Sequence, residues 1–554
     1  MKFNPLILTD FYKACHHAQF SEDLEYSTSY YTPRMTRIEG QDTVVMALLQ
    51  SFLQEYFIET FDEEFFEKDK QSMLSDYGLL LTATIGSKVS NDAVKRVSEL
   101  HDLGYLPIKV SALPEGTLVP IKVPMFEITN THPRFAWLVN ALETLMSTSL
   151  WHGMVSATVG YQYRQVANKW YKKTVDNANP NSAIGDFSLR GQESLESGIK
   201  SSSGFLLSHM NTASVPAIPY LAHYYDATFS EVGRGAVSTE HSVMCSNYSI
   251  DGNERTFIKK LITEIYPEGY VSIVSDSYDY WGMVDNILPS LKTEIMERKG
   301  TIGIRGDSGD PVDIVAGVPI INTFIHRKHP GEKGSLVTLN NKEGYSIYRA
   351  EENLYLVEIR NKETISTRKM DLEDMPSEAI GTVAALYRNF GGTVNSKGYK
   401  VIDSHIKAVY GDGITQKRAE EIYSRLAEKG FSSQNVTLGA GSFSMQAVEN
   451  EDGSLSPYTR DTFGVAIKAT HGVMKDGQEI FILKNPKTDT GNFKKSLQGL
   501  IDVRVNVDGD LYPHDKVSIH DKRDTVMRTV FEDGKLVNKE SLQTVRNRLH
   551  NGGF

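Results

Sequence analysis

Residues 304–311 carry side chains of the types that bind phosphate and ribose. Arg305 offers a planar fork of donors to a phosphate or an amide oxygen, and the glycines let a ligand approach the backbone closely. Asp307 can orient a hydroxyl, a metal-bound water or an amide. The segment is equally typical of a glycine-rich turn with a solvated ion pair, so both interpretations stay open on these residues alone.

Two glycine-containing segments further along the chain indicate phosphate binding. Gly411-Asp412-Gly413 precedes a helix pattern, which favours a ribose or phosphate loop over the hairpin turn that Asp-Gly also forms. Gly439-Ala440-Gly441-Ser442 repeats this arrangement one unit later, and two such loops together favour a phosphate cradle. Neither loop matches the P-loop or the dinucleotide-binding fingerprint.

His241 is the candidate for an ionisable group at the end of a loop. It lies between Glu240 and Ser242, and Asp276, at the end of a β-branched run, could pair with the imidazole and fix its tautomer. A structural role is the alternative for a single histidine. The adjacent histidines at 16 and 17 lack two further ligands at suitable spacing, so we expect no metal site made by protein side chains.

Aromatic and basic side chains complete the candidate set. Tyr12 and Phe187 lie in otherwise polar segments, which suits stacking on a planar ring, although burial in a core is the commoner fate of such residues. A basic set late in the chain suggests anion binding, with a solvated surface as the alternative; it comprises Arg460, Lys468, Lys484, Lys494 and Lys495.

Repeated strand, loop and helix units from about residue 180 would position these groups. Short β-branched runs at 271–276, 301–305, 406–410 and 436–438 each end in a polar or glycine-rich loop. Parallel strands of this kind bring their loops to one edge of a sheet, in a β/α barrel or in an open doubly wound sheet.

Two other regions have different patterns. A polar insertion at about 327–370 contains strand patterns at 345–350, 354–359 and 363–368, with a turn at Asn361-Lys362, and predicts an antiparallel subdomain. Before residue 180, helix patterns cover 10–20, 47–66, 135–151 and 158–175, and alternating strands lie within 106–129.

Length, charge and cysteine content restrict the class of protein. The 554 residues exceed the roughly 250–300 residues of a single core, and the net charge of −11 has the wrong sign for nucleic-acid binding. Two distant cysteines exclude a disulfide framework and favour a reducing cytoplasm, and no apolar run approaches the roughly 18 residues of a membrane helix. We therefore expect a cytoplasmic protein with no nucleic-acid or membrane partner and with a local anion site.

Seven motifs, in order along the chain, resemble those of the nicotinamide phosphoribosyltransferase family. The resemblance runs nearly end to end and is interrupted by the insertion. The motifs are Leu8-Thr9-Asp10-Phe11-Tyr12-Lys13 with His16, Gly185-Asp186-Phe187 with Arg190-Gly191, Glu240-His241-Ser242, Val274-Ser275-Asp276-Ser277-Tyr278-Asp279, Ile304-Arg305 with Asp307-Ser308-Gly309, Gly411-Asp412-Gly413 and Thr459-Arg460-Asp461.

The resemblance implies an α/β fold with a type II phosphoribosyltransferase-like β/α barrel over 181–450. Segments 1–180 and 451–554 would together form a second α+β domain, and the antiparallel insertion would interrupt the barrel. The implied reaction is a pentosyl transfer that joins nicotinamide to phosphoribosyl pyrophosphate and gives nicotinamide mononucleotide and pyrophosphate, in NAD salvage. The family also implies Mg²⁺ with the donor's pyrophosphate, ATP as an activator, and a homodimer with shared active sites.

The resemblance assigns roles to matching residues. Phe187 and Tyr12 would enclose the nicotinamide ring, with Asp10 on the same side as Tyr12. Arg305 would bind the carboxamide. Catalysis would depend on Asp307 at the ribose and metal side and on His241, the histidine phosphorylated by ATP, supported by Glu240 and Asp276. Ribose and phosphates would contact Arg34, Arg190, Gly411, Asp412, Gly439, Gly441, Ser442, Arg460, Lys468 and Lys484, with Tyr12, Arg34, Arg460 and Lys468 contributed by the other subunit.

Two segments depart from the family pattern. Where the family has Gly-Thr-Asp-Thr, this chain reads Asn211-Thr212-Ala213-Ser214, so the aspartate that favours amide over acid is missing and Ser214 is the candidate replacement. The family's Gly-Ser-Gly-Gly-Gly loop loses two glycines in residues 439–443, and the insertion follows Pro311 beside the same site. Three alternatives therefore stay open: ADP-ribose pyrophosphate as donor with NAD as product, nicotinate as acceptor, and an inactive nucleotide-binding sensor.

Overall fold

The computed structural model describes residues 3–323, 325–326, 335–336, 343–450, 452–486 and 496–551. Lys494, Lys495 and the parts of the predicted insertion at 327–334 and 337–342 lie outside these residues. Within the described ranges, no helix is both long enough and apolar enough to cross a membrane.

Seven parallel strands form the centre of the molecule. In chain order they are β1 (Ile184–Phe187), β2 (Asn211–Thr212), β3 (Val237–Ser238), β4 (Val271–Val274), β5 (Ile302–Gly306), β6 (Ile406–Tyr410) and β7 (Val436–Gly441). Their order in the sheet is β2-β1-β7-β6-β5-β4-β3. A parallel bridge from Asn211 in β2 to Arg234, just before β3, brings the two edges of the sheet together, as in a barrel.

Side chains alternate between the two faces of these strands. In β5, Ile302 and Ile304 are buried on the outer face against helices, whereas Arg305 lies on the inner face. The register pairs Arg305 with Val409 and with Val274, so neighbouring strands place equivalent residues on the same face. The outer face therefore forms a hydrophobic core, and the inner face carries the glycines and polar residues of the motifs.

Helices cover the outer face of the parallel sheet. The helix Gln416–Glu428 illustrates the sequence pattern: Thr415 caps its first turn, and its buried residues Ala419, Ile422, Tyr423 and Leu426 recur at helical spacing. The other helices of this region are Leu195–Phe205, Ala217–Tyr224, Phe229–Val232, His241–Asp251, Glu254–Lys260, Tyr280–Gly282, Leu288–Ser290, Lys292–Glu297, Pro311–Ala316, Ser377–Ile380, Thr382–Phe390 and Ser442–Gln446.

A second, antiparallel sheet combines strands from both ends of the chain. Its strands, in spatial order, are Glu479–Phe481, Ala466–Met474, Leu24–Thr32, Phe126–Asn130, Ile108–Ala112, Arg528–Glu532 and Lys535–Leu536. Helices of the same region are Leu49–Phe52, which continues as wider π-helical turns to Phe66, and Lys70–Ile85, Ser87–Leu103, Ala136–Ala141, Glu143–Thr174 and Leu542–His550. The predicted combination of N- and C-terminal segments is thus present in one sheet.

The helix Glu143–Thr174 packs against both parts of the molecule. Glycines permit its close approach to Leu195–Phe205: a Cβ at Gly204 would overlap the carbonyl oxygen of Gly153 and would lie 3.0 Å from the backbone nitrogen of Ala157. The helix patterns at 135–151 and 158–175 lie largely within this one helix, which contains Gly153 and Gly160 but no proline that would break it.

The insertion forms a four-stranded sheet with Ile320–Thr323, Gly344–Ala350, Asn353–Arg360 and Glu363–Lys369 in that order. The last three strands are antiparallel and agree closely with the prediction, and Asn361 and Lys362 form the predicted turn with positive φ angles. The first strand pairs in parallel, which the sequence pattern did not predict.

Two further predictions were wrong in detail. The segment predicted as a helix over 10–20 is a 3₁₀ helix over Phe11–Ala18. The predicted loop at Gly439–Ser442 is not a loop, because β7 continues to Gly441 through pairing with β1 and a helix begins at Ser442. Glycines are poor strand formers in isolation, so this extension is decided by the neighbouring strand.

The two ends of the insertion meet at a pair of glycines. Gly317 ends the helix Pro311–Ala316 and Gly381 precedes Thr382–Phe390, both with positive φ. A Cβ at Gly381 would lie 2.6 Å from the carbonyl carbon of Ala316, and Val318 N donates to Ala379 O at 3.0 Å. Only residues without a Cβ permit this contact.

We expect Gly381→Ala to destabilise the fold more than Gly391→Ala. Gly391 has a similar backbone conformation (φ 80° against 87°), but a Cβ at this position would meet no atom within 4 Å, so its substitution isolates the backbone strain. That strain costs about 1–3 kcal/mol, and overlap at Gly381 adds about 1–3 kcal/mol. Equal thermal unfolding midpoints for the two variants would contradict the close contact.

Candidate active site

The carboxyl ends of β3, β4 and β5 bring His241, Asp276 and Asp307 together. His241 begins the helix His241–Asp251 after β3, Asp276 follows β4 by two residues, and Asp307 directly follows β5. One nitrogen or oxygen atom from each side chain lies within 4.8 Å of the other two. The structure thus brings together three groups that could hold a metal ion, although the sequence predicted no metal site made by protein side chains.

One oxygen of Asp276 has no partner. Its Oδ2 accepts hydrogen bonds from Asp307 N at 3.0 Å and from Ser308 Oγ at 2.5 Å, whereas Oδ1 is buried and has no hydrogen-bond partner among the described residues. A buried oxygen without a donor is costly, and two neighbouring carboxylates are the ligands that a hard cation such as Mg²⁺ prefers. The donor set therefore fits this ion.

Arg305 joins β5 to the end of β3. Its Nε donates to Asp307 Oδ2 at 3.1 Å and its Nη1 donates to Ser238 Oγ at 2.8 Å. Burial raises the pKa of Asp307, Arg305 opposes this shift, and the negative charge of Asp276 raises the pKa further. The site is thus an acidic cluster in which a fixed guanidinium and, when present, a cation balance the charge.

His241 is half exposed and has two polar neighbours. Nδ1 lies 3.1 Å from Ser277 Oγ, and Nε2 lies 4.0 Å from Asp307 Oδ2. Glu240, predicted to support the imidazole, instead accepts a hydrogen bond from the hydroxyl of Ser242. The difference arises because Glu240 is the N-cap residue of the helix, so its side chain turns towards the first helical turn.

Phe187 lies on the inner face in space left by glycines. A Cβ at Gly439 would overlap Cδ2 and Cε2 of the phenyl ring, and one at Gly411 would lie 3.3 Å from the same atoms and 3.0 Å from Asp307 Oδ1. The opposite edge of the ring faces Gly185, where a Cβ would lie 3.1 Å from Cε1. Gly439, predicted to contact phosphate, is thus required for the position of Phe187.

Asp186, next to Phe187, is fully buried. Oδ1 accepts from the backbone and hydroxyl of Ser188, and Oδ2 accepts from Thr212 Oγ1 at 2.9 Å and Ser214 Oγ at 2.7 Å. Ser214 is itself buried and also accepts from Ser202 Oγ at 2.8 Å. The predicted substrate contact of Ser214 is therefore not available, because its donor is used by Asp186.

The start of the helix Ser442–Gln446 lies beside Arg190. Arg190 is exposed on the short turn Leu189–Gly191, and a Cβ at Gly191 would lie 2.7 Å from the Cβ of Ser442. Gln446 Nε2 donates to Gly191 O at 2.7 Å and holds the two segments together. A Cβ at Gly441 would meet no described atom within 4 Å, so this edge of the sheet is open.

The remaining predicted residues form a second cluster. Tyr12 is 59% exposed, its neighbour Asp10 accepts from Thr144 Oγ1 at 2.6 Å, and Arg460 pairs with Asp461 on the surface. Lys468 Nζ donates to Glu143 Oε1 at 3.2 Å.

Positive side chains are close together in this second cluster. Burial lowers the pKa of Lys468. The positive charges of Arg34 and Lys484 lower this pKa further, and Glu143 opposes the shift. Arg34 Nε also donates to Gly464 O at 2.8 Å. Arg460 pairs with Asp461, and Lys468 contacts Glu143 and the carbonyl oxygen of Ile467. Among the described residues, these contacts do not include the cluster around Arg305.

Sequence reasoning missed three hydroxyl groups that organise the first cluster. Ser277 and Ser308 each directly follow a carboxylate in a motif, and this adjacency was a usable signal. Ser238 contacts Arg305 because β3 and β5 both pair with β4, which brings their ends close together. The spacing of these residues in the sequence does not predict that contact.

Comparison with known proteins gives consistent results. Residues 183–535 match the nicotinate phosphoribosyltransferase (NAPRTase) family. The chain is 35% identical to nicotinamide phosphoribosyltransferase of Acinetobacter baylyi, over 99% of this chain and 97% of that protein, and 27% identical to the protein of the same name from Xanthomonas campestris, over 98% and 97%.

A solved structure shares the fold. Nicotinate-nucleotide pyrophosphorylase from Pyrococcus furiosus is 11% identical in sequence and aligns with a TM-score of 0.52, over 99% of this chain and 95% of that one. This likeness confirms the predicted type II phosphoribosyltransferase-like fold.

We expect Gly439→Ala to lower the free energy of unfolding by about 1–3 kcal/mol, because the new methyl group must displace the Phe187 ring. Gly441→Ala is the matched control two residues along the same strand, with φ −82° and open space, and we expect a change within about 1 kcal/mol. Chemical denaturation measures both. A Gly439→Ala variant as stable as the control would show that Phe187 does not depend on this glycine.

Proposed function

The chain belongs to the nicotinate phosphoribosyltransferase (NAPRTase) family, and we propose that it joins nicotinamide to phosphoribosyl pyrophosphate, giving nicotinamide mononucleotide and pyrophosphate. The observation that carries this proposal is the convergence of an aromatic ring, a fixed guanidinium and a carboxylate cluster at one edge of the parallel sheet. Binding a flat base, a ribose and a pyrophosphate side by side requires these three kinds of group. The 35% identity with a nicotinamide phosphoribosyltransferase over nearly the full chain supports the choice of substrates.

The base requires positioning rather than activation. The ring nitrogen of nicotinamide is already a nucleophile, so no general base is needed. Phe187 offers a half-buried face for stacking, and Arg305 can donate to the carboxamide oxygen from the neighbouring part of the inner face. Bond formation between this nitrogen and ribose C1 breaks the bond from C1 to the pyrophosphate oxygen.

Charge stabilisation is the second task of the site. Positive charge develops at ribose C1, where Asp307 and Asp412 would stabilise it, and negative charge develops on the leaving pyrophosphate. Mg²⁺, held by Asp276 and Asp307, would supply positive charge to the leaving group when bound. The unpartnered Oδ1 of Asp276 supports this role. Arg190 and Ser442, on two segments that meet at the open edge, would contact the phosphates of the donor.

We propose that two subunits share each site. Phe11 and Tyr12 are 56% and 59% exposed, and positive side chains cluster beside Tyr12. In a homodimer, Tyr12 of the partner subunit would cover the base opposite Phe187, and the partner's Arg34, Arg460 and Lys468 would contact phosphates. This arrangement explains why the exposed cluster contains residue types suited to the same substrates.

ATP would act through His241. Transfer of its γ-phosphoryl group breaks the bond to the β-phosphate oxygen, forms a bond to an imidazole nitrogen, and releases ADP. The imidazole is half exposed and lies 4.0 Å from Asp307, so the added charge would adjoin the pyrophosphate site. The two unpaired cysteines, Cys15 and Cys245, fit a reducing compartment, and we propose that the reaction takes place in the cytoplasm.

ADP-ribose pyrophosphate is a second candidate donor, favoured by the position of the insertion. The sheet of the insertion lies across a cavity from the helix Pro311–Ala316, which begins four residues after Asp307. The cavity is polar, and it is lined by Asp310 and Val312 at the start of that helix and by Tyr345 and Ser346 of the insertion. A donor with an added adenosine group is larger than phosphoribosyl pyrophosphate and would need such additional surface.

We expect the purified protein with Mg²⁺ to convert nicotinamide and phosphoribosyl pyrophosphate to nicotinamide mononucleotide, detected by mass, with a higher rate when ATP is present. Arg305→Ala should lower kcat/KM by about 10²–10³, because a fixed charge beside the reacting groups is lost. Arg360→Ala, which removes an exposed arginine of the insertion, should be unaffected.

Parallel reactions with ADP-ribose pyrophosphate and with nicotinate decide the donor and the base. Absence of any product from all combinations would sink the proposal and leave the inactive sensor. Full activity of Arg305→Ala would remove the assigned role of Arg305. Loss of the ATP effect in His241→Ala, with basal transfer retained, is the outcome that supports phosphorylation of His241.

We expect two inactive variants to complement each other if sites are shared. Tyr12→Ala and Arg305→Ala subunits, coexpressed at equal levels, should form mixed dimers in which one of two sites is intact, so about a quarter of wild-type activity should return. The control is coexpression of two subunits that both carry Arg305→Ala, because no site in such a dimer is intact. Activity no higher than that of either variant alone, from dimers shown to be mixed by two affinity tags, would contradict sharing.

A further inference from the structure

Asn211 presents an unpaired carboxamide on the inner face of the barrel. It pairs in register with Gly185, so both residues lie on the face that carries Phe187. A Cβ at Gly185 would lie 2.6 Å from Asn211 Nδ2 and 3.1 Å from Cε1 of Phe187. The amide group and the ring edge therefore flank the same point.

Asn211 is partly exposed. Within the part of the chain that the structure describes, none of the hydrogen bonds involves its amide group. Its donors and acceptor are thus free to meet a ligand that stacks on Phe187. By contrast, the hydroxyls of Thr212 and Ser214 in the same segment both donate to Asp186.

Arg305 and Ala213 do not favour an amide over an acid. Arg305 carries a positive charge, which would attract a carboxylate at least as strongly as a carboxamide oxygen. Ala213 is exposed but offers only a methyl group. A preference for the amide therefore requires an acceptor for its NH₂ group beside Phe187, and the Asn211 oxygen is such an acceptor.

We propose that Asn211 is the residue that selects a carboxamide over a carboxylate on the bound base. The inference rests on the proposed function, since it assumes that the base stacks on Phe187. Two carboxamides can pair reciprocally, with each NH₂ donating to the other oxygen. A carboxylate has only acceptors. One of its oxygens would accept a hydrogen bond from the Asn211 NH₂, but the other would lie against the Asn211 oxygen and be repelled by it.

Gly185 is part of the same device. Any side chain at position 185 would occupy the place of the Asn211 amide, because a Cβ there would lie 2.6 Å from Nδ2 and 2.8 Å from Cγ. Glycine at 185 and asparagine at 211 are therefore coupled: the first leaves the space and the second fills it with a polar group. This coupling predicts that a substitution at either residue changes the same property.

The test compares kcat/KM for nicotinamide and for nicotinate in wild type, Asn211→Ala, Asn211→Asp and Gly185→Ala. We expect Asn211→Ala to lower kcat/KM for nicotinamide by about 10–100-fold and to change that for nicotinate by less than about threefold, because the carboxamide of the base loses its hydrogen-bond partner. Gly185→Ala should lower kcat/KM for nicotinamide more than that for nicotinate, since its methyl group would displace the Asn211 amide and would also lie 3.1 Å from Phe187 Cε1. Asn211→Asp should keep the amide preference, since a carboxylate accepts from the amide NH₂ and repels nicotinate. Asn506→Ala, in an exposed turn outside the parallel sheet, is the control.

Two outcomes would overturn the inference. They are a wild-type preference for nicotinate and, in a folded Asn211→Ala protein, an unchanged ratio of the two kcat/KM values. Thermal unfolding checks that each variant folds. If wild type converts neither base, the proposed function fails, and calorimetric affinities of the two bases then decide the role of Asn211 on the same criterion.

Discussion

The site depends on space that glycines leave on the inner face of a parallel sheet. Gly185, Gly411 and Gly439 lack the Cβ atoms that would otherwise occupy the position of the Phe187 ring. The interior of an eight-stranded β/α barrel is ordinarily filled by branched apolar side chains. Here the branched residues Ile302 and Ile304 face outward, and the inner face keeps room for a planar ligand.

The same parallel register brings the charged groups together. His241, Asp276 and Asp307 follow three adjacent strands, and residues tens of positions apart in the chain become neighbours because every strand points the same way. Arg305 then balances part of the negative charge and holds β5 to the end of β3. An acidic protein can thus bind an anionic donor only through such local placement, since its net charge of −11 repels phosphates at long range.

The polar network behind the ring is as specific as the ring itself. Asp186 uses both oxygens on Ser188, Thr212 and Ser214, which ties the strand that carries Phe187 to the segment that carries Asn211. A fully satisfied buried carboxylate of this kind fixes geometry, because each lost partner would leave a polar group unpaired. Ala213 offers no polar group in this segment, and Asn211 is paired in register with Gly185 on the strand that carries Phe187.

The amino-acid sequence alone determined the succession of strands and helices, the inserted subdomain and most residues of the first cluster. These features are local: alternation, helical periodicity and motifs such as Asp276-Ser277 are written in consecutive residues. It did not show the hydrogen-bond partners of Ser214 and Glu240, and it predicted a loop at 439–442 where a strand continues to Gly441. Whether a serine donates to a buried aspartate or to a ligand, and whether a glycine serves a turn or makes room for a ring, is decided by contacts between residues far apart in the chain. Only the tertiary structure fixes those contacts, because the pairing of β1 with β2 and β7 has no counterpart in sequence spacing.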